Sequence, residues 1–168
     1  MRYTIYLSIA LLLGSCASSP PSPTRPENGS ASRSQGIEYL EPADPESQHC
    51  LALAMYWEAR GEGRQGMLAV GSVVLNRVSD QRFPNSVCGV VYQGGEKPPC
   101  QFSWWCDGKS DRPTEASQWS ASTDLAAELL TSSFDDPTDG ALFFHSESIA
   151  SPWRRVRTAQ IGGHIFYR

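Results

Sequence analysis

Residues 51–63, LALAMYWEARGEG, decide the fold of this chain. Seven consecutive apolar or aromatic residues precede Glu58, and glycines stand on both sides of Glu62 soon afterwards. Leu51, Met55 and Glu58 recur at the spacing of one helical face, and the glycines are typical of a helix end. The sequence therefore predicts a buried helix whose apolar face ends in an ionisable group.

The unusual position of Glu58 has a chemical consequence. A carboxyl group on an apolar face loses hydration of its charged form, so its pKa rises, and a carboxylic acid that stays protonated can act as a general acid. We interpret Glu58 as a catalytic acid aimed into a cleft; the alternative is a salt bridge to Arg60 or another basic group. We interpret Glu62 as a structural acid near the site, favoured by the dipole of the next helix.

The N-terminal part of the chain does not resemble a folded domain. Residues 1–15 have a basic start and an apolar run of signal-peptide length, too short to span a bilayer. LGSC before and at Cys16 resembles the bacterial lipobox, which predicts lipidation of Cys16; the alternative is an ordinary secretory signal. Ala17 follows, as in lipoproteins of the outer membrane of Gram-negative bacteria, so we expect a lipid-anchored protein on the periplasmic face of that membrane.

Residues 16–47 are predicted to form the tether between this anchor and a folded domain at 48–168. They contain six of the twelve prolines and few apolar residues, so they cannot bury enough surface to fold. The folded part is long enough for one core.

Charge excludes one class of function. The formal net charge is −4, whereas a nucleic-acid binder is usually basic. Arg154, Arg155 and Arg157 are a local exception. We expect them on solvated strand faces, with contact to a carboxylate-bearing wall polymer as the alternative.

Four cysteines remain after Cys16, and in an exported protein an even number predicts disulfides. Three pairings are possible; we favour Cys50–Cys88 and Cys100–Cys106. The alternatives are a zinc site or a catalytic cysteine. The histidines are scattered and no Cys-x-x-Cys spacing occurs, so we expect neither a metal nor a cofactor.

Periodicity and turn residues predict an α+β fold. Helices are expected at 48–60, 66–78 and 113–131, with the second central and Gly71 allowing close packing. Residues 82–111 are expected to be loop-rich. A strand at 141–145 and a hairpin at 156–168 predict a small antiparallel sheet in the C-terminal third.

The loop at 100–108, CQFSWWCDG, offers aromatic faces and hydrogen-bonding groups for sugars. The candidate substrate-binding residues each have core packing as the alternative; they are Gln101, Phe102, Ser103, Trp104, His145 and Trp153. Asp107 is a possible second carboxylate, although Asp–Gly favours a turn. His164 is expected to make a structural hydrogen bond in the hairpin.

A series of motifs follows in order along residues 51–168. They are EARGE (58–62), NRV (76–78), FPN (83–85), VCGVVY (87–92), QFS (101–103), DPTDGA (136–141), SPW (151–153) and IGxHxF (161–166). Together they resemble the cell wall hydrolase family typified by the spore cortex-lytic enzyme SleB. The resemblance implies a lysozyme-like helical core and makes 48–168 the catalytic domain, with Glu58 as the family's essential glutamate.

The resemblance also implies a reaction, cleavage of peptidoglycan between N-acetylmuramic acid and N-acetylglucosamine. Spore-type members are described as lytic transglycosylases, in which one glutamate acts as acid and then as base to form a 1,6-anhydromuramic end. The alternatives are a hydrolytic muramidase, which needs a second carboxylate about 6.5–9.5 Å away if inverting, a non-catalytic peptidoglycan-binding lipoprotein, and a cysteine- or zinc-dependent peptidase. No protein partner is indicated.

Overall fold

The computed structural model describes residues 43–150 and 153–168. The expectations for the signal peptide, for lipidation of Cys16 and for most of the tether lie outside these residues. The elements within them are α1 (Pro45–Ala59), α2 (Gly63–Ser79), α3 (Val87–Val91), a 3-10 helix (Ser103–Cys106), α4 (Ala116–Thr131), β1 (Phe143–Ser146), β2 (Arg157–Ile161) and β3 (His164–Tyr167). This order confirms the predicted α+β class, with helices first and a small sheet last.

Helix α1 is the enclosed centre of the helical layer. All residues from Cys50 to Tyr56 are at most 5% exposed, because α2, α3 and α4 pack around the helix. A helix that is apolar on every side is buried in this way, whereas α2, which we expected to be central, leaves Leu75 partly exposed. The helix begins at Pro45 rather than at Gln48, since the Asp44 carboxylate accepts a 2.9 Å hydrogen bond from the Ser47 amide.

Helix α2 packs closely on its neighbours at Gly71. A Cβ atom there would lie 2.7 Å from Leu129 Cδ1 and 3.0 Å from Met55 Sδ. The predicted role of this glycine in close helix packing is therefore confirmed. The starts of α2 and α4, at Gly63 and Ala116, differ from the predicted positions at 66 and 113.

A short helix and two disulfides organise the segment that was expected to be mainly loop. The Ser86 hydroxyl accepts from the Gly89 amide at 3.2 Å and caps α3, whose three valines are buried. The Cys50–Cys88 disulfide joins α1 to α3, and Cys100–Cys106 closes the aromatic loop. These are the two pairings favoured from the sequence.

The sheet has the antiparallel strand order β1–β3–β2. Phe166 of β3 is buried against Ala69 and Val73 of α2, so the sheet lies on the face of α2. Strand β1 begins at Phe143 rather than at Ala141. Across residues 43–150 and 153–168, no helix has the length and apolar character needed to cross a membrane.

Candidate active site

A cleft of about 290 Å³ opens where the helical layer meets the sheet. Glu58 enters it from α1, Arg77 from α2 and His164 from β3. The remaining described walls come from residues 100–103, from residues 144–146 and from Ile149. Ionisable side chains from separate elements, with His145 of β1 as a fourth, thus meet at one opening.

Glu58 has the environment expected of a protonated acid. Burial is the largest influence and raises the pKa of its carboxyl group; the charges of His164 and Arg77 lower it, and Glu62 raises it. The carboxyl group makes no hydrogen bond or ion pair with any other described residue. The alternative of a salt bridge to Arg60 is wrong, because Arg60 pairs with Glu115 at 2.9 Å and stacks over the Tyr56 ring.

Arg77 is a buried cation beside Glu58 and is only 2% exposed. Its Nε donates to the Leu142 carbonyl oxygen at 2.8 Å. With the Gln101 amide oriented so that its oxygen faces the guanidinium, that oxygen accepts from Nη1 and Nη2 at 3.3 and 3.2 Å. Burial lowers the pKa of Arg77 to about 10, against the opposing effect of Glu58, so Arg77 remains charged at neutral pH.

Sequence reasoning missed Arg77 as a site residue. It lies one helical turn after Val74, on the apolar side of α2, and Val74 is fully buried. That position is the same kind of anomaly that drew attention to Glu58. A charged residue on an apolar helix face was therefore the available signal.

Glu62 joins α2 to the turn between β2 and β3. Its Oε2 bonds to His164 Nδ1 at 3.0 Å, and its Oε1 accepts from the Gly163 amide at 3.2 Å. Gly162 has φ +56, and a Cβ atom there would lie 2.8 Å from Glu62 Cδ, so the turn requires glycine. Glu62 caps no helix with its side chain; the helix-dipole explanation missed this contact with the hairpin.

His164 makes the hydrogen bond expected of a hairpin residue, but it also lines the cleft. Its Nδ1–H donates to the Glu62 carboxylate, since a carboxylate can only accept. When the ring is neutral, this arrangement leaves Nε2 as its acceptor. That this ring lines the same cleft as Glu58 could not be predicted from the sequence, because their elements are far apart along the chain.

The predicted substrate-binding residues fall into two groups. Gln101, Phe102, Ser103 and His145 line the cleft with Glu58. Phe102 is only 2% exposed and belongs mainly to the core. Both ring nitrogens of His145 make hydrogen bonds. Nδ1 donates to the Ser146 carbonyl oxygen at 2.8 Å. Nε2 is then the acceptor of a neutral ring, and it accepts from the Tyr167 hydroxyl at 3.0 Å.

Trp104 and Trp153 do not line the Glu58 cleft. Trp104 is 8% exposed and stacks on Trp57, with ring centroids 6.4 Å apart and planes at 25°. Both tryptophans of this pair line a separate cleft of about 130 Å³ together with Asp107 and Asp111. Trp153 lies beside His145, at 5.5 Å between ring centroids.

Asp107 does not act as a second carboxylate in the Glu58 cleft. It accepts from the Lys109 amide at 2.8 Å, which holds its pKa below the usual value, and pairs with the Lys109 ammonium at 3.2 Å. Among the described residues that line the cleft, Glu58 is the only carboxylate. The four cysteines of the described residues are all in disulfides, and within the same residues no group of three His, Cys, Asp or Glu side chains could hold a metal ion.

A mainly helical domain with a buried carboxyl group at an open cleft is the architecture that the sequence motifs predicted for a cell wall hydrolase. Comparison with known proteins agrees with this class. The chain belongs to the cell wall hydrolase family, whose model matches residues 61–167. Glu58 lies just before the matched range. The family resemblance drawn from the sequence motifs is thus confirmed.

The curated proteins that the chain resembles include spore cortex-lytic enzymes. The enzyme of Bacillus subtilis (strain 168) is 35% identical over 121 residues, which cover 69% of this chain and 35% of that protein. The enzyme of Oceanobacillus iheyensis is 34% identical, covering 69% of this chain and 39% of that protein. The chain therefore spans little more than a third of the length of these curated relatives.

Two solved structures share the fold. The catalytic domain of the Bacillus cereus SleB protein matches with a TM-score of 0.57 and 31% identity, over 75% of this chain and 92% of that one. The catalytic domain of the germination-specific lytic transglycosylase SleB from Bacillus anthracis matches with a TM-score of 0.57 and 33% identity, over 74% and 96%. The predicted helical core with a C-terminal sheet is confirmed by these matches.

Proposed function

We propose that this chain cleaves the glycan strands of peptidoglycan at the bond between N-acetylmuramic acid and N-acetylglucosamine, with Glu58 as the acid. One observation carries the proposal: Glu58 is a buried carboxyl group with a raised pKa that faces an open cleft and makes no bond to any other described residue. The spore cortex-lytic relatives support the choice of a wall polymer as substrate.

The first chemical step follows from the protonation state of Glu58. Burial raises the pKa of the Glu58 carboxyl group and so favours its protonated form, which can give its proton to the glycosidic oxygen as the bond to C1 breaks. The charge of Glu58 then develops beside the Arg77 guanidinium, whose field stabilises the carboxylate. Arg77 is itself fixed by the Leu142 carbonyl group, so little reorganisation is needed.

The second step distinguishes a lytic transglycosylase from a hydrolase. The Glu58 carboxylate accepts the proton of the sugar's own C6 hydroxyl as that oxygen attacks C1, which yields a 1,6-anhydromuramic end and returns Glu58 to its acid form. No water molecule and no second carboxylate takes part. We prefer this course to hydrolytic muramidase activity because the described cleft walls contain no other carboxylate. The name of the Bacillus anthracis relative is consistent with it.

Substrate contacts are proposed for the residues at the cleft. Gln101 and Ser103 offer polar groups to the sugar, and Phe102 and His145 form its walls. Trp104 lines its separate cleft with Trp57, and Trp153 lies beside His145; from these positions they can contact neighbouring sugar units with the parts of their rings that remain accessible. No cofactor is needed for this chemistry.

We propose an envelope location from the N-terminal sequence, with the lipidated Cys16 anchoring the protein to the periplasmic face of an outer membrane. The two disulfides are consistent with an oxidising compartment. The relatives above come from Bacillus and Oceanobacillus, so the outer-membrane assignment depends on the residues around Cys16. Replacing Cys16 with alanine should move the protein from the membrane fraction to the soluble fraction.

Release of soluble fragments from purified peptidoglycan tests the proposed activity. The wild-type chain should release fragments, and Glu58→Gln should reduce the rate by about 10²- to 10⁴-fold, as expected for loss of a general acid. Glu128→Gln is a matched control, because Glu128 is exposed on α4 and pairs only with Arg64. Binding of peptidoglycan without release by the wild type would favour the binding-lipoprotein alternative, and inhibition by a chelator or thiol reagent would favour a peptidase.

A further inference from the structure

The connection between β1 and β2 has an unusual surface. Ile149, Trp153 and Val156 are 59%, 40% and 65% exposed, and they are the large apolar side chains exposed among the described residues. All three lie within residues 149–156, and Ile149 also lines the Glu58 cleft. One of these three exposed apolar side chains, Ile149, therefore lies at the candidate active site.

Arg155 is held at this surface by aromatic rings. Its guanidinium carbon lies 3.5 Å from the centroid of the Phe143 ring and 5.8 Å from that of Trp153. Stacking occupies the face of a guanidinium and leaves its in-plane N–H groups for another partner. Arg155 makes no ion pair with any other described residue, whereas four arginines with exposed or partly exposed side chains do. Those four are Arg60, Arg64, Arg82 and Arg168.

The local charge contrasts with that of the whole chain. The chain carries a net charge of −4, yet residues 153–168 contain four arginines and no Asp or Glu. Two of the four are engaged, Arg168 with Asp139 and Arg157 with Gln160. Arg155 is thus an ordered cation in a segment without anions.

Aromatic contacts connect Arg155 to the cleft. The Trp153 ring lies 5.8 Å from the Arg155 guanidinium and 5.5 Å from the His145 ring, and His145 lines the cleft. A polymer held at Glu58 that continues past His145 would reach Arg155 next. Arg155 is therefore placed to bind a negatively charged group carried by the neighbouring unit of the substrate.

We propose that Arg155, stacked on Phe143, binds a carboxylate carried by a muramyl unit next to the cleavage site. The inference rests on the proposed substrate. A guanidinium fork binds a carboxylate through two parallel hydrogen bonds, and an ordered arginine loses less side-chain freedom on binding. The carboxylate is either that of the lactyl group, in strands without peptides, or one of the peptide stem in intact strands.

Binding, measured separately from cleavage, tests this site. The full-length chain carrying Glu58→Gln is pelleted with insoluble peptidoglycan, with and without Arg155→Gln. Arg154→Gln is the matched control, since Arg154 is an exposed neighbour with the same charge. We expect Arg155→Gln to raise the Kd about tenfold and Arg154→Gln to change it less than twofold. On chitin, which has the sugars but no carboxylates, neither substitution should matter.

A second substrate identifies the source of the carboxylate. Peptidoglycan stripped of its peptides by an amidase exposes the lactyl carboxylate, which is in amide linkage in intact strands. An Arg155 effect on stripped strands alone shows that the lactyl group is bound, and an effect on intact strands alone shows that the peptide is bound; either result supports the site. The proposal is overturned if Arg155→Gln has no effect on either intact or peptide-stripped peptidoglycan, if both arginine variants lose affinity equally, or if the same loss occurs on chitin. Arg155-dependent binding to anionic lipid vesicles instead of peptidoglycan would also overturn it, in favour of a membrane surface.

The two proposals can fail separately. If the wild-type chain releases no fragments but binding still depends on Arg155, the proposed cleavage fails and the binding site stands. If fragments are released in a Glu58-dependent manner and binding is indifferent to Arg155, the cleavage stands and the binding site fails. Thermal unfolding of each variant checks that the surface substitutions leave the fold intact.

Discussion

Replacing Arg77 with methionine should destabilise the protein measurably. The substitution removes a guanidinium that is 2% exposed and donates a 2.8 Å hydrogen bond to the Leu142 carbonyl oxygen. A hydrogen bond from a charged donor contributes about 1.5–3 kcal/mol, and methionine replaces most of the apolar contacts with Phe83 and Phe102. We expect a loss of about 2–3 kcal/mol, which lowers the Tm of a domain of this size by about 6–15 °C.

The same substitution should change the pH dependence of the reaction. The charge of Arg77 lowers the pKa of Glu58 against the larger effect of burial, so its removal raises that pKa further. In the proposed mechanism the protonated form of Glu58 is the active acid, so the activity that is lost as pH rises should then be lost at a higher pH. The maximal rate should fall, since the carboxylate formed in the first step has no guanidinium beside it.

The assay is the pH profile of kcat/KM for release of fragments from peptidoglycan, measured for wild type, Arg77→Met and Arg77→Lys. Lysine keeps the charge but not the planar guanidinium. The alkaline limb of the Arg77→Lys profile should therefore stay close to that of the wild type, while the stability of this variant falls. If the alkaline limbs of Arg77→Met and wild type coincide, Arg77 does not act on Glu58 through its charge and this part of the mechanism is wrong.

Three further predictions concern stability. The folded-state pKa of Glu58 is raised above its unfolded value, so the stability of the protein falls as pH rises through the interval between these two pKa values. The Glu58→Gln variant should not show this fall and should be more stable than the wild type at alkaline pH, by about 1.4 kcal/mol per unit of pKa shift. Thermal unfolding at two pH values would show the difference. Glu62→Gln weakens the bonds to the β2–β3 turn and should cost about 1–3 kcal/mol, with faster amide exchange at Gly163. Replacing Cys50 and Cys88 by alanine opens a loop with a sequence separation of 38 and should cost about 4 kcal/mol in denaturant unfolding.

The proposed catalytic acid could be picked out from the sequence because its signal is local. Glu58 follows an apolar run and precedes glycines, so the conflict between its charge and its helix face is visible within one helical segment. The helices and the final hairpin were predictable for the same reason, since each has its own periodicity. The observed helix boundaries differ from the predicted ones where a capping residue such as Asp44 determines the first turn.

The partners of Glu58 could not be found in the same way. Arg77 and His164 reach the cleft from α2 and β3, and only the packing of the sheet on α2 brings them together. Helix α3 was missed because a five-residue helix has little periodicity; buried valines and the disulfide at Cys88 stabilise it. The sequence could not show that Trp104 lines a cleft separate from that of Glu58, because its stacking partner, Trp57, belongs to α1.

The nature of the sugar ends tests the central claim most directly. Purified peptidoglycan is digested with the full-length chain and with Glu58→Gln, and the released fragments are analysed by mass spectrometry. The account predicts muramic ends lighter by one water than hydrolysed ends, formed by the wild type and absent with Glu58→Gln. Reducing muramic ends would contradict the transglycosylase course, and fragments released equally by Glu58→Gln would contradict the assignment of Glu58 as the acid.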